Sequence, residues 1–175
     1  MARVTAAPRP ATRHDLAELA ALASRSFFDA YRETDDHAVI EEYCARNFTL
    51  GRFASILADP RARLVVATDG AGRLAGYAHV GASPPPPCVR GADPIELARL
   101  YLAHEWIGQG VGATLMLAAI EEARRLGGRA LWLGVYERNP RAIASYRRFG
   151  MQVVGTKPWA WGGEVFQDPV MEMGL

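Results

Sequence analysis

Gly108, Gly110 and Gly112 stand at alternate positions in the stretch Trp106-Ile107-Gly108-Gln109-Gly110-Val111-Gly112-Ala113-Thr114-Leu115. Residues 95–102, just before it, read as a strand, and the chain from Val111 onward reads as a helix. Strand, glycine turn and helix together make a site for an anion. Glycine lets the backbone come close to a ligand, and the first-turn N–H groups of a helix have no partner within it. Those donors and the positive end of the helix dipole favour negative charge. A nucleoside triphosphate would need G-x-x-x-x-G-K-[ST], and no lysine lies near these glycines. A dinucleotide would need G-x-G-x-x-G after the first strand of a repeating βαβ fold. Here the spacing is G-x-G-x-G, past mid-chain, with one clear βαβ unit. A glycine-rich turn that binds nothing stays open on the glycines alone.

The surrounding pattern supplies the scaffold. Residues 4–7 read as a short first strand. Thr12 starts a helix with Asp15 as a short-armed capping box, and Leu16, Leu19, Ala20, Ala23 and Phe27 follow at helical spacing. Residues 35–46 form a less periodic helix, and Phe53, Ile56 and Leu57 belong to another that stops by Pro60. Residues 64–67 and 74–80 are strands around the turn Asp69-Gly70-Ala71-Gly72, a hairpin. Pro84 to Pro87 make a stiff loop. The helix from Val111 to Leu126 is apolar around most of its circumference, which suits burial against a sheet. Residues 130–135 read as a central strand, parallel to the one before the glycines. Asn139-Pro140 caps a helix carrying Ile143, Tyr146 and Phe149, closed by Gly150. Residues 152–161 and 165–173 are strands joined at Gly162-Gly163.

The length of 175 residues suggests one domain, 1–175. Half the residues are hydrophobic and 22% are charged, as in a globular protein. A net charge of +1 gives no sign of a nucleic-acid partner. No apolar run approaches the roughly 20 residues that span a bilayer, and the first residues lack a secretory signal's apolar core. Cys44 and Cys88 form no metal pattern, so no metal is expected and a reducing cytoplasm is the expected location. A homodimer is left open.

Leu100-Tyr101-Leu102, the glycine turn, Leu131-Trp132-Leu133-Gly134-Val135-Tyr136-Glu137-Arg138-Asn139-Pro140-Arg141-Ala142-Ile143 and Ser145-Tyr146-Arg147-Arg148-Phe149-Gly150-Met151 occur in this order. In that combination the chain resembles the GCN5-related N-acetyltransferases, closely over residues 97–151 and loosely over nearly all of it. Its pattern is most like the PaiA-type polyamine acetyltransferase branch. The resemblance implies an α/β fold: a mixed, mostly antiparallel sheet of about seven strands flanked by about four helices. One parallel pair would splay apart at the acetyl-CoA site. It also implies acetyl-CoA as the anion and cosubstrate, with its pyrophosphate on backbone N–H groups of Ile107, Gly108, Gln109, Gly110, Val111, Gly112 and Ala113. Two positions depart from the family. Ile107 stands where the turn pattern [QR]-x-x-G-x-[GA] begins, which shifts the grip toward backbone groups. Met151 stands where phenylalanine is usual, and is an apolar replacement.

By the same resemblance, Leu100, Tyr101 and Leu102 pair with the pantetheine arm, and a backbone N–H near Leu102 is the oxyanion donor. Asn139 is both helix cap and coenzyme contact. Tyr146 matches the tyrosine aimed at the coenzyme sulfur, and with a reference pKa of about 10 it stays protonated as general acid. Glu96 is the leading base for the amine proton; the other reading is a surface ion pair with Arg99. His79, which also reads as a structural strand histidine, and His104 are further base candidates. Glu33, Asp35, Asp36, Glu41 and Glu42 would suit a cationic amine, or form a solvated face. Trp159 and Trp161 wall an acceptor cleft or pack in the core. The expected activity is direct acetyl transfer to a primary amine of a small molecule. The alternatives are a non-catalytic acyl-CoA-binding module and a peptide or protein N-acetyltransferase.

Overall fold

The computed structural model describes residues 7–175. The strand expected over residues 4–7 falls outside the described residues, except for Ala7, which belongs to no element. Seven strands form one sheet in the order β1-β2-β3-β4-β5-β7-β6. They are β1 (Arg9–Pro10), β2 (Ala62–Thr68), β3 (Leu74–Gly81), β4 (Pro94–Leu102), β5 (Ala130–Gly134), β6 (Gln152–Trp161) and β7 (Glu164–Gly174). Every pairing is antiparallel except that of β4 with β5. Five helices flank it: α1 (Leu16–Tyr31), α2 (His37–Asn47), α3 (Leu50–Ala58), α4 (Val111–Arg125) and α5 (Pro140–Arg148).

Local chemistry sets the boundaries. Asp15 accepts from the Thr12 N–H at 2.7 Å, the expected box, although a short 3-10 turn over Arg13–Asp15 precedes α1. The Asp36 carboxylate accepts from the Ala38 N–H at 2.8 Å and starts α2 two residues later than expected. Thr49 and Asn139 cap α3 and α5 in the same way, at 3.2 Å and 3.0 Å.

The sheet separates two cores. On one face α4 lies across β2, β3 and β4 and seals an aliphatic cluster that includes Leu115, Met116, Ile120, Leu131 and Met171. On the other face α1, α2 and α3 cover a cluster rich in rings, among them Phe27, Phe48, Phe53, Tyr77 and Trp161.

β4 serves both faces through a bulge. Its pairing with β3 runs from Arg99 opposite His79 to Leu97 opposite Val80, leaving Ala98 as the extra residue. Successive side chains of a regular strand alternate faces, and an inserted residue reverses the alternation beyond it. Ile95 and Leu97 therefore face α4, as do Leu100 and Leu102 past the bulge. Tyr101 turns to the ring-rich face.

Candidate functional site

β4 and β5 stay together for only three pairs: Pro94 with Ala130, Ile95 with Leu131 and Glu96 with Trp132. Beyond these β4 runs on to Leu102 while β5 ends at Gly134, held by β7. The β4 edge at Leu100, Tyr101 and Leu102 thus faces an opening, and its outward backbone groups have no strand partner on that side. An extended ligand can add itself there as a strand would.

The glycine turn follows this open edge. A 3-10 turn over His104–Trp106 leads to Gly108 at φ 82° and Gly110 at φ 88°, left-handed conformations that glycine adopts without a Cβ clash. A Cβ at either would meet nothing within 4 Å, so the turn is open outward. The first helical bond of α4 is from Thr114 N–H to the Gly110 carbonyl at 3.1 Å. The N–H groups of Val111, Gly112 and Ala113 precede it and are the orphan donors of the first turn. Gly112 has a second reason to be glycine: an added Cβ would sit 3.3 Å from Leu102 Cδ1. It lets α4 lie close on β4. Ile107 is half-buried and the Gln109 amide bonds back to the Glu105 carbonyl, so these side chains leave the grip to the backbone. His104 is exposed beside this turn, away from the cleft described next.

On the ring-rich side the same opening leads into a cleft of about 570 Å³. Glu96 lines it, and its Oε2 accepts from the Ser83 hydroxyl at 2.6 Å. The Glu96–Arg99 ion pair considered from the sequence does not form. Instead Arg99 stands with its guanidinium 5.0 Å from the Phe48 ring centroid and 5.9 Å from that of Phe53. His79, opposite Arg99 on β3, lines the cleft too. Burial, helped by the Arg99 charge, pushes its pKa down to about 4, and its Nδ1 has no partner. It is neutral near pH 7.

Tyr146 lies on the other side. Its ring packs against the aliphatic cluster, it does not line the cleft, and burial pushes its phenol up to about 12, with Tyr31 adding in the same direction. Tyr31 lines the cleft, so the Tyr146 phenol senses a group of the ring-rich side. Asn139 caps α5 at the head of the same helix.

Of the acidic residues of the α1–α2 region, Glu41 is exposed and the others are committed elsewhere. Asp35 accepts from Trp161 Nε1 at 2.8 Å and from the Tyr136 hydroxyl at 3.1 Å. Asp36 caps α2, Glu42 pairs with Arg46, and Glu33 lies 3.5 Å from Arg32. Among the residues lining the cleft, none of Glu33, Asp35, Asp36, Glu41 and Glu42 is found. Both Trp159 and Trp161 do wall it, at a centroid distance of 6.5 Å, and Trp161 also belongs to the core. Sequence reasoning missed Arg52, Arg99, Lys157 and Asp168, which line the cleft from α3, β4, β6 and β7. Burial raises the pKa of Asp168, whose Oδ1 accepts from the Glu137 N–H at 3.1 Å.

Comparison with known proteins gives a consistent family. A family model described as the acetyltransferase (GNAT) family matches residues 16–151. An uncharacterized N-acetyltransferase of Mycobacterium tuberculosis is 34% identical over 158 residues, covering 90% of this chain and 96% of the relative. The L-methionine sulfoximine/L-methionine sulfone acetyltransferase of Pseudomonas aeruginosa is 34% identical over 104 residues, 57% of this chain and 59% of the relative. Among solved structures, the PaiA N-acetyltransferase from Thermoplasma acidophilum in complex with coenzyme A shares the fold, with a TM-score of 0.80 at 22% identity. That alignment covers 96% of this chain and 98% of the other.

Proposed function

The chain belongs to the acetyltransferase (GNAT) family, and on that premise we propose that it transfers acetyl from acetyl-CoA directly to a primary amine of a small molecule. The observation that carries this reading is the divergence of β4 from β5, with an anion-ready helix start on one side and a carboxylate-bearing cleft on the other. The residues fit the coenzyme. The N–H groups of Gly108, Gly110, Val111, Gly112 and Ala113 supply donors for a pyrophosphate, those of Ile107 and Gln109 being bonded to the His104 and Trp106 carbonyls, and the open edge at Leu100, Tyr101 and Leu102 suits an amide-bearing arm. Bound acetyl-CoA supplies an activated acetyl thioester.

The chain's own groups then manage protons and charge. Glu96 accepts the proton of the incoming ammonium, directly or through water, with the Ser83 hydroxyl fixing the orientation of its carboxylate. A free N–H near Leu102 offers a fixed dipole to developing negative charge. Tyr146 holds its proton at neutral pH and gives it to the departing thiolate, and the second proton that the nitrogen sheds on becoming an amide restores the phenol. Neutral His79 shares the cleft wall without adding a charge that would repel the ammonium.

Thermal shift and thiol release test this together. Acetyl-CoA is expected to raise the melting temperature where ATP and NAD do not. Free thiol is expected to appear only when an amine from a panel of amino acids, polyamines and aminated antibiotics is added. Binding of acetyl-CoA with no thiol released by any of them would make the protein a binding module.

A further inference from the structure

The charges of the cleft are unevenly spent. Asp59 is closed on Arg61, accepting from its backbone N–H at 2.8 Å and from its guanidinium at 3.2 Å. Glu96 accepts from Ser83, and Asp168 from the Glu137 backbone. Arg99 is half-buried between Phe48 and Phe53, and among the described residues no carboxylate closes an ion pair with it. Arg52 and Lys157, the only lysine of the chain, line the same cleft. A half-buried guanidinium without a counter-ion is free to meet an anion entering the cleft, and its planar fork matches a carboxylate.

Building on the acetyl-transfer reading, we infer that the acceptor amine carries a carboxylate, which Arg99 binds, and an apolar body held by the rings of the cleft. The bulge at Ala98 places Glu96 and Arg99 on one wall. Their β3 partners, Gly81 and His79, are two residues apart, which separates the two backbone positions by about 7 Å. An ammonium at Glu96 and a carboxylate at Arg99 fit between the two arms. Phe27 and Tyr43, stacked at 4.6 Å, and Trp159 and Trp161 supply the apolar wall. A polyamine would add several cations to a cleft that already holds Arg52, Arg99 and Lys157, where Asp59 is closed on Arg61 and Asp168 accepts from the Glu137 N–H.

The test pairs each acid with its amide: L-methionine sulfone, L-phenylalanine and L-tryptophan against the corresponding amino-acid amides, with spermidine as the polycation. Binding to the coenzyme A-loaded protein is read by titration calorimetry, which needs no turnover, and thiol release is read in parallel with acetyl-CoA. At least one acid is expected to bind about 10- to 100-fold more tightly than its amide, the size of a charge-assisted contact. Arg99→Gln is expected to erase that preference and Arg99→Lys to restore part of it, with folding checked by circular dichroism. Amides or spermidine binding as tightly as every acid, or a preference that survives Arg99→Gln, would overturn the inference. Acid-selective binding without thiol release would support the carboxylate subsite and count against acetyl transfer alone.

Discussion

The two faces of one sheet are built from different materials. The α4 face is mostly aliphatic and closed, packed mainly from Leu, Ile, Val, Met and Ala with Trp106 at its edge, and Leu115, Leu131 and Met171 are fully buried. The α1–α3 face is aromatic and opens into the cleft, with polar atoms of Glu96, Arg99, His79 and Asp168 along its walls. Branched aliphatic side chains fill space and fix position. Flat rings with polar edges leave a shaped space that still accepts hydrogen bonds and cations. The first face holds the glycine turn and Tyr146 in register, while the second lines the cleft proposed for the acceptor. Substitutions on the two faces should therefore fail in different assays.

The largest effect is expected at the point where the faces meet. Tyr146→Phe keeps the ring in its aliphatic seat and removes the proton, so kcat should fall about 10²- to 10⁴-fold with acetyl-CoA affinity unchanged. Turnover equal to wild type would remove Tyr146 from the reaction. Leu115→Ala on the closed face should cost about 2–5 kcal/mol of unfolding free energy in urea melts. At a temperature where the variant stays folded, its acceptor KM should match wild type; a shifted KM would show that the faces are coupled. On the open face, the pH dependence of stability tests His79. Its folded pKa, about 4, lies below the ordinary 6.5, so the folded state resists protonation. Stability should be fully present above pH 6.5, fall as pH drops toward 4 and then level off, and His79→Gln should flatten that fall. An unchanged profile in the variant would place the pH dependence elsewhere. Gly110→Ala should cost about 1–2 kcal/mol through its left-handed backbone and weaken acetyl-CoA binding, since the closed face holds this turn. Gly112→Ala carries no such φ penalty and should be milder, its effect arising from contact with Leu102. Equal losses at the two positions would erase the distinction between conformational and packing glycines.

The scaffold was legible because periodicity and caps are local signals. Strands β2 to β7 and all five helices lie where alternation, apolar stripes and cap residues put them. The glycine turn was legible by motif, while Glu96 and Tyr146 entered as candidates by resemblance, and the structure puts the first on the cleft wall and the second against the aliphatic cluster. Of the two readings of the acids around α2, the solvated face fits Glu33, Glu41 and Glu42, while capping by Asp36 and the bonds from Asp35 to Tyr136 and Trp161 depend on geometry that composition does not carry. Arg99 was read only as a neighbour of Glu96. A signal was present: the apolar residues of β4 fall at 95, 97, 100 and 102, a change of phase that marks the bulge. His79 reaches the cleft from β3, and Lys157 and Asp168 from the β6–β7 hairpin far along the chain, a convergence no local pattern records.

Strand β4 has one further consequence. The proposed base, Glu96, and the edge proposed for the coenzyme arm, Leu100 to Leu102, belong to the same short stretch of backbone. Thermal displacement of that strand carries both along, so the distance between donor and acceptor sites fluctuates with the stiffness of a hydrogen-bonded ribbon and not with the slack between separate loops. Alignment of the two substrates would thereby rest on one strand and not on how α1–α3 pack against the sheet.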